Sequence, residues 1–314
     1  MHTSGMAARE RLDQTAILDW AAELLESRPV KVLFSSGHLS QVVGVRLADG
    51  RDVVVKVRRW EDRLTACGQV QDAIWAAGFP APRLLVAPTR EADCAISVEA
   101  LVADGELLPA QADSAALFAR ALAELVAVVP EASSVGTLSP SPPWVDWDHP
   151  EPHLWPAPDD REGDLNAHAG NRWLDEYAAA ARDLLMKLDE PKVIGHGDWY
   201  SQNLRWNNRR LHVVYDWDSV VAQPEAAIAG LAAAIWPGTG VPGEVAMVRQ
   251  TERFLEAYID ASGRRWTSDE VRAAWAAGLW TRAFDAKKVS LVGESPHAAL
   301  TPEEAQQRNR RAGL

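Results

Sequence analysis

The stretch His196-Gly-Asp-Trp-Tyr-Ser-Gln-Asn203, followed by Tyr215-Asp-Trp-Asp218, decides how the rest of the chain is read. A carboxylate at Asp198 can accept a proton from an attacking hydroxyl. Asn203 can give a divalent metal a neutral oxygen, and Asp216 a charged one. Between these halves, residues 204–206 and 211–215 read as short strands, with Asn207-Asn-Arg-Arg210 as their turn. In an antiparallel hairpin the residue before the first strand and the residue after the second lie at one open end. Local geometry alone therefore predicts that Asn203 and Asp216 meet. An isolated His-x-Asp is most often a pair of capping residues; the ordered set with a hairpin inside it is far more specific.

The pattern H-x-D-x-x-x-x-N with an Asp at the next strand end resembles the catalytic core of the eukaryotic-type kinase fold. The wording HGDWYSQN with YDWD resembles the aminoglycoside phosphotransferase family, which also holds choline, fructosamine and homoserine kinases. The resemblance implies a two-lobed α+β fold with an antiparallel-sheet N-lobe and a mainly helical C-lobe. It implies Asp198 as catalytic base, Asn203 and Asp216 as Mg²⁺ ligands, and ATP as phosphoryl donor. Protein kinases more often place Arg after the His and Phe-Gly after the metal Asp. Here Gly197 and Trp217-Asp218 stand in those places, which favours a small-molecule acceptor. His196 is expected to buttress the catalytic loop through hydrogen bonds.

With 314 residues the chain exceeds the usual size of a single core, so two lobes are expected. The division expected is an N-lobe over 1–98, a hinge over 99–104 and a helical C-lobe over 105–314. Apolar residues at 47% and charged residues at 24% are ordinary globular composition. A formal charge of −12 argues against a nucleic-acid backbone binder. No apolar run is long enough to span a bilayer, and residues 1–10 hold no signal-peptide core, so a cytoplasmic protein is expected. Cys67 and Cys94 lack metal-ligand spacing and read as thiols in a reducing compartment.

Upstream, residues 12–25 show helical spacing. Residues 42–47 and 53–57 read as strands joined at Ala48-Asp-Gly-Arg51, where Asp-Gly marks a hairpin. That hairpin returns Lys56 beside Ser35-Ser-Gly-His-Leu-Ser40. Backbone N–H groups with Ser35, Ser36 or Ser40 can cover phosphates while Lys56 neutralises them, although the loop is no P-loop. By resemblance, a helix glutamate should pair with Lys56. Counting back from Gly78-Phe-Pro-Ala-Pro82, its position falls at Cys67, Gly68 or Gln69, none of them acidic; Glu61, Asp62 or Asp72 are the neighbouring substitutes. Residues 84–86 and 95–98 read as strands. By resemblance, the backbone from Val98 through Glu99 to Leu101 would hold the adenine edge.

From there helical stripes dominate: 118–129, 173–188, 245–259, and a fourth opened by the capping box Thr267-Ser-Asp-Glu270. Residues 301–314 lack apolar periodicity and read as a loose tail. Residues 144–164 differ from their surroundings. Trp144, Trp147 and Trp155 stand among Asp146, Asp148, Glu151, Asp159, Asp160, Glu162 and Asp164, with prolines that forbid a regular helix. Aromatic faces beside carboxylates suit a cationic ligand. Asp146, Asp148 and Glu151, with Trp199 and Asp218 beside the catalytic loop, are the candidate acceptor contacts; Asp218 is equally a candidate for a further metal or network residue. The expected activity is an ATP- and Mg²⁺-dependent phosphotransfer to a hydroxyl of an aminoglycoside-like, cationic small molecule. A metabolic kinase of the choline, sugar or amino-alcohol type, and a nucleotide-binding relative that has lost turnover, are the alternatives.

Overall fold

The computed structural model describes residues 13–37, 39–111, 113–168, 170–239 and 244–314. Leu12, the first residue of the expected N-terminal stripe, lies outside them. The described chain begins with α1 (Gln14–Leu25) and the strands β1 (Pro29–Ser36), β2 (Gln41–Leu47) and β3 (Asp52–Arg59). Helix α2 (Arg63–Ala76) leads to β4 (Leu84–Glu91) and β5 (Cys94–Ala100). The strands form one antiparallel sheet in the order β1-β2-β3-β5-β4.

Strict alternation gives this sheet two unlike faces. Val43, Val45, Val53, Val55, Val57, Ile96 and Val98 pack with Ile17, Ala21 and Leu25 of α1 as one core. In register on the opposite face stand Val42, Gly44, Val54, Lys56, Ser97 and Glu99. The β2–β3 turn follows its Asp-Gly signal: Gly50 has φ 89°, and Asp49 accepts the Arg51 N–H at 3.0 Å.

After β5 the chain is mainly helical: α3 (Ser114–Val128), α4 (Arg172–Leu185), α5 (Glu225–Ile235), α6 (Val248–Ser262), α7 (Ser268–Ser290) and α8 (Pro302–Ala312). Two short strand pairs are set among them. β6 (Lys192–His196) pairs with β9 (Val220–Pro224), and β7 (Leu204–Asn207) with β8 (Arg210–Val214). A second, larger core joins these helices and also takes Ala66, Cys67, Val70 and Ile74 of α2. At its centre α5 crosses α7 so closely that a Cβ on Gly230 would lie 1.9 Å from the Ala274 carbonyl. The expected capping box starts α7, with Thr267 and Glu270 each bonding the other's backbone N–H.

Residues 301–314 are not a loose tail. They form α8, whose Arg308 is fully buried and bonds the Ala246 carbonyl at 2.5 Å, Thr251 at 3.1 Å and Glu304 at 2.9 Å. An arginine carries the burial that an apolar stripe would have announced. Residues 144–164 are also partly core: Trp147 and Trp155 are buried, and Trp155 gives its Nε1–H to Asp175.

Candidate active site

The hairpin delivers its two ends together as its sequence requires. Asn208 and Arg209 take φ values of 48° and 65°, the tight turn that a two-residue loop needs. Tyr215 N–H then closes onto the Asn203 carbonyl at 2.8 Å. Asp216 follows with φ 66°, a left-handed conformation uncommon outside glycine that Asp tolerates better than most side chains.

Asn203 turns its amide nitrogen to Asp198, 3.0 Å from the backbone carbonyl and 3.1 Å from Oδ2, so its Oδ1 is the atom that could serve a metal. His196, fully buried, ties both loops. Its Nδ1 accepts the Asp198 N–H at 3.1 Å, so the hydrogen-bond network puts the ring proton on Nε2, 2.9 Å from the Tyr215 carbonyl. Burial holds this imidazole down at about 4, so it is neutral and structural. Trp144 adds a third tie, its Nε1–H bonding the Gly197 carbonyl at 2.7 Å.

Burial pushes the Asp198 carboxyl up to about 7; the Asn203 bond opposes this, and the charges of Asp285 and Asp218 add to it. Asp216 is raised well above the ordinary carboxylate range by burial and by Asp218 beside it. Asp218 itself is lowered: burial would raise it, but Arg58, paired with it directly, dominates. Its Oδ1 is buried without a hydrogen-bond partner. One amide and two carboxylates, with an orphaned carboxylate oxygen among them, are the hard oxygen donors that suit Mg²⁺. Asn203, Asp216 and Asp218 would hold it. Among the described residues no three His, Cys, Asp or Glu side chains form a ready-made metal cage.

Lys56 meets Glu99 at 3.2 Å on the cleft face of the sheet. Burial alone would lower this ammonium, but Glu99, Asp216 and Asp218 together raise it. None of the expected substitutes for the helix glutamate reaches it. Glu61 pairs with Arg58 at 3.4 Å, Asp62 accepts from Trp60 Nε1 at 2.9 Å, and Asp72 is exposed. Of the loop serines, Ser40 lines the cleft, and Ser36 stands opposite Val42, which lines it too. Ser35 stands opposite Val43 on the α1 side, so its side chain is not brought to the cleft. Gly37 is required where it is, because a Cβ would lie 2.0 Å from the Ser40 carbonyl. Val98 is buried inside the sheet, and Leu101 gives its N–H to the Asp52 carbonyl at 3.0 Å, so Leu101 does not offer that donor to an adenine.

One cavity of about 1250 Å³ joins Asp198, Asp216 and Asp218 to Asp146, Glu151, Asp159 and Asp160. Two expected acceptor contacts do not join it. Trp199 is fully buried and bonds the Phe118 carbonyl, and Asp148 pairs with Lys192 at 2.8 Å away from the cavity lining. Sequence reading missed Asp285 and Lys288, which α7 brings to the cavity wall, and Tyr200 beside the catalytic loop. Nothing in the periodicity of α7 singles them out.

The sequence model of the phosphotransferase enzyme family (APH) matches residues 31–275. The chain belongs to that family. Its fold is shared with an aminoglycoside phosphotransferase, APH(4)-Ia, in a thermostable mutant bound to ADP and hygromycin B. The two are 15% identical, with TM-score 0.59 over 95% of this chain and 97% of that one. Amicoumacin kinase hAmiN, in complex with AMP-PNP, Ca²⁺ and Ami, is 11% identical, with TM-score 0.62 over 98% and 94%. Macrolide 2′-phosphotransferase MphH from Brachybacterium faecium is 19% identical, with TM-score 0.52 over 93% and 99%. No curated protein matches the sequence. Family membership and shared fold together make this a kinase-like phosphotransferase. Among the described residues no helix is long and apolar enough to cross a membrane.

Proposed function

We propose that this phosphotransferase moves the γ-phosphoryl group of ATP, with Mg²⁺, onto a hydroxyl of a cationic, aminoglycoside-like small molecule. The observation that carries the reading is the single cavity in which Asp198 faces both the Asp216–Asp218 pair and a wall rich in carboxylates. Its volume exceeds the roughly 300–1,000 Å³ of an ordinary ligand site, room enough for a nucleotide and an acceptor together. The neighbours' complexes with ADP, AMP-PNP, Ca²⁺ and hygromycin B support a nucleotide, a divalent cation and a polar acceptor. A cytoplasmic location, where ATP is at hand, belongs to the same reading.

In this reading Asp198 orients the acceptor hydroxyl and takes its proton. A carboxyl raised by burial is better matched to that task near neutral pH than an ordinary one. Asn203 holds Asp198 in place through its amide nitrogen, and Lys56 pairs with the nucleotide phosphates. Mg²⁺, when bound, supplies charge to neutralise the phosphate oxygens. The experiment is a panel of amine-bearing antibiotics, amino-alcohols and sugars scored for ADP release against a no-acceptor blank. Acceptor-dependent release supports the reading; release that never exceeds the blank across the panel overturns it.

A further inference from the structure

Lys56 and Glu99 come from neighbouring strands of one sheet. Lys56 stands opposite Ser97 and Glu99 opposite Val54, so alternation puts both side chains on the cleft face, one rung apart. Glu99 is only 4% exposed. A carboxylate so buried needs both a counter-charge and hydrogen bonds. Lys56 gives the charge at 3.2 Å, and Gln71 of α2 donates to the other oxygen at 3.1 Å. Gln71 is buried as well, and the same nitrogen reaches the Pro82 carbonyl at 3.1 Å, so the amide is anchored to backbone.

Helix α2 turns no acid toward Lys56. Cys67 lies with its sulfur 3.7 Å from the Asp218 carbonyl, and a Cβ on Gly68 would meet Pro88 at 2.6 Å. The lysine also feels Asp216 and Asp218. Released from Glu99, it would be drawn to those carboxylates and away from the phosphates it has to meet.

The geometry points to Glu99, clamped by Gln71, as the residue that positions Lys56 for nucleotide phosphates and holds it off Asp216 and Asp218. The pair is set by β3–β5 register rather than by the placement of a helix, so the sheet itself assembles it. The inference rests on the reading of Lys56 as the nucleotide lysine.

The test is titration of the full chain with Mg²⁺-ATP, followed by tryptophan fluorescence, in four variants: Lys56→Met, Glu99→Gln, the double variant and Gln71→Leu. Lys56→Met should weaken nucleotide about tenfold or more, as loss of a charge-assisted phosphate contact does. Glu99→Gln should weaken it by about tenfold while leaving the acceptor KM unchanged. Adding Glu99→Gln to Lys56→Met should cost nothing further, because a residue acting through the lysine has nothing left to position. Gln71→Leu keeps both charges and should weaken nucleotide by about threefold, the cost of a lost bond to a charged group in a site that partly relaxes. If Lys56→Met binds nucleotide like wild type, the reading of Lys56 falls. If Lys56→Met is weakened while Glu99→Gln is not, or the two losses add, the positioning role of Glu99 falls and the lysine stands. Should Glu99→Gln not fold, Gln71→Leu decides: unchanged nucleotide affinity there overturns the inference.

Discussion

The side-chain nitrogen of Asn203 lies 3.1 Å from Asp198 Oδ2, and the same nitrogen holds the Asp198 backbone carbonyl at 3.0 Å. The candidate base is thus held by a candidate metal ligand, and the two roles can be separated by substitution. Asp198→Ala is expected to lower turnover by about 10²–10⁴, the worth of a positioned general base. Its Mg²⁺-nucleotide affinity should stay near wild type, since Asn203 and Asp216 remain. Turnover surviving within about twofold would move the base elsewhere.

Asp216→Ala should act on the other side of that pair. It removes a charged oxygen that would hold Mg²⁺, so nucleotide binding should lose much of its Mg²⁺ dependence. Nucleotide titrations with and without Mg²⁺ in both proteins measure this. An equal Mg²⁺ dependence in the two would transfer the role to Asp218, whose Oδ1 has no hydrogen-bond partner.

How much of this was legible beforehand depended on whether the signal was local. The β7–β8 hairpin, the Asp-Gly turn and the α7 capping box are each written within a few adjacent residues, and each formed where expected. Helix α5 escaped because Glu225-Ala-Ala-Ile-Ala-Gly-Leu-Ala-Ala-Ala-Ile235 is apolar all round and has no stripe to read. Helix α8 escaped for the opposite reason, its buried anchor being Arg308. The partner of Lys56 escaped because Glu99 is set by β3–β5 register, which no sequence window contains. Asp148 was misplaced because Lys192, 44 residues away, draws it off the cavity.

Asp146 offers a pH-dependent prediction. Burial pushes its carboxyl up to about 6, with Asp148 adding to the shift. The folded chain therefore holds this proton more tightly than the unfolded one, whose carboxyl titrates at about 4. The penalty for the charged form is absent below that pH, grows as pH rises toward 6 and is complete above it. Asp146→Asn should thus match wild type near pH 4 and gain stability up to pH 7. The gain should be about 1 kcal/mol rather than the full worth of the shift, because the half-buried side chain is screened by solvent. Urea unfolding at both pH values checks it; a difference that does not change with pH would refute the assignment.

The carboxylate wall of the cavity gives the last prediction. Asp285 projects from α7 into the cavity, and its charge acts on Asp198. Its nearest cation, Lys288, is 4.0 Å away and is engaged more closely by Asp160 at 3.0 Å. On the proposed function, Asp285 would meet an amine of an acceptor whose hydroxyl rests at Asp198. Asp148 is the internal control, a second carboxylate of the 144–164 segment that is committed to Lys192 and stands off the cavity lining. Asp285→Asn should raise the acceptor KM by about tenfold with the nucleotide KM unchanged, the cost of an ionic hydrogen bond in a partly screened cleft. Asp148→Asn should leave both constants within about twofold, since exposed pairs contribute little. The Asp285 effect should persist at moderate salt, because contacts inside a cleft are screened less than long-range steering is. If both variants raise the acceptor KM alike, and salt abolishes the effect, the acid wall acts only through its summed field. If neither does, or the acceptor found by the panel is anionic, the wall is not the acceptor site.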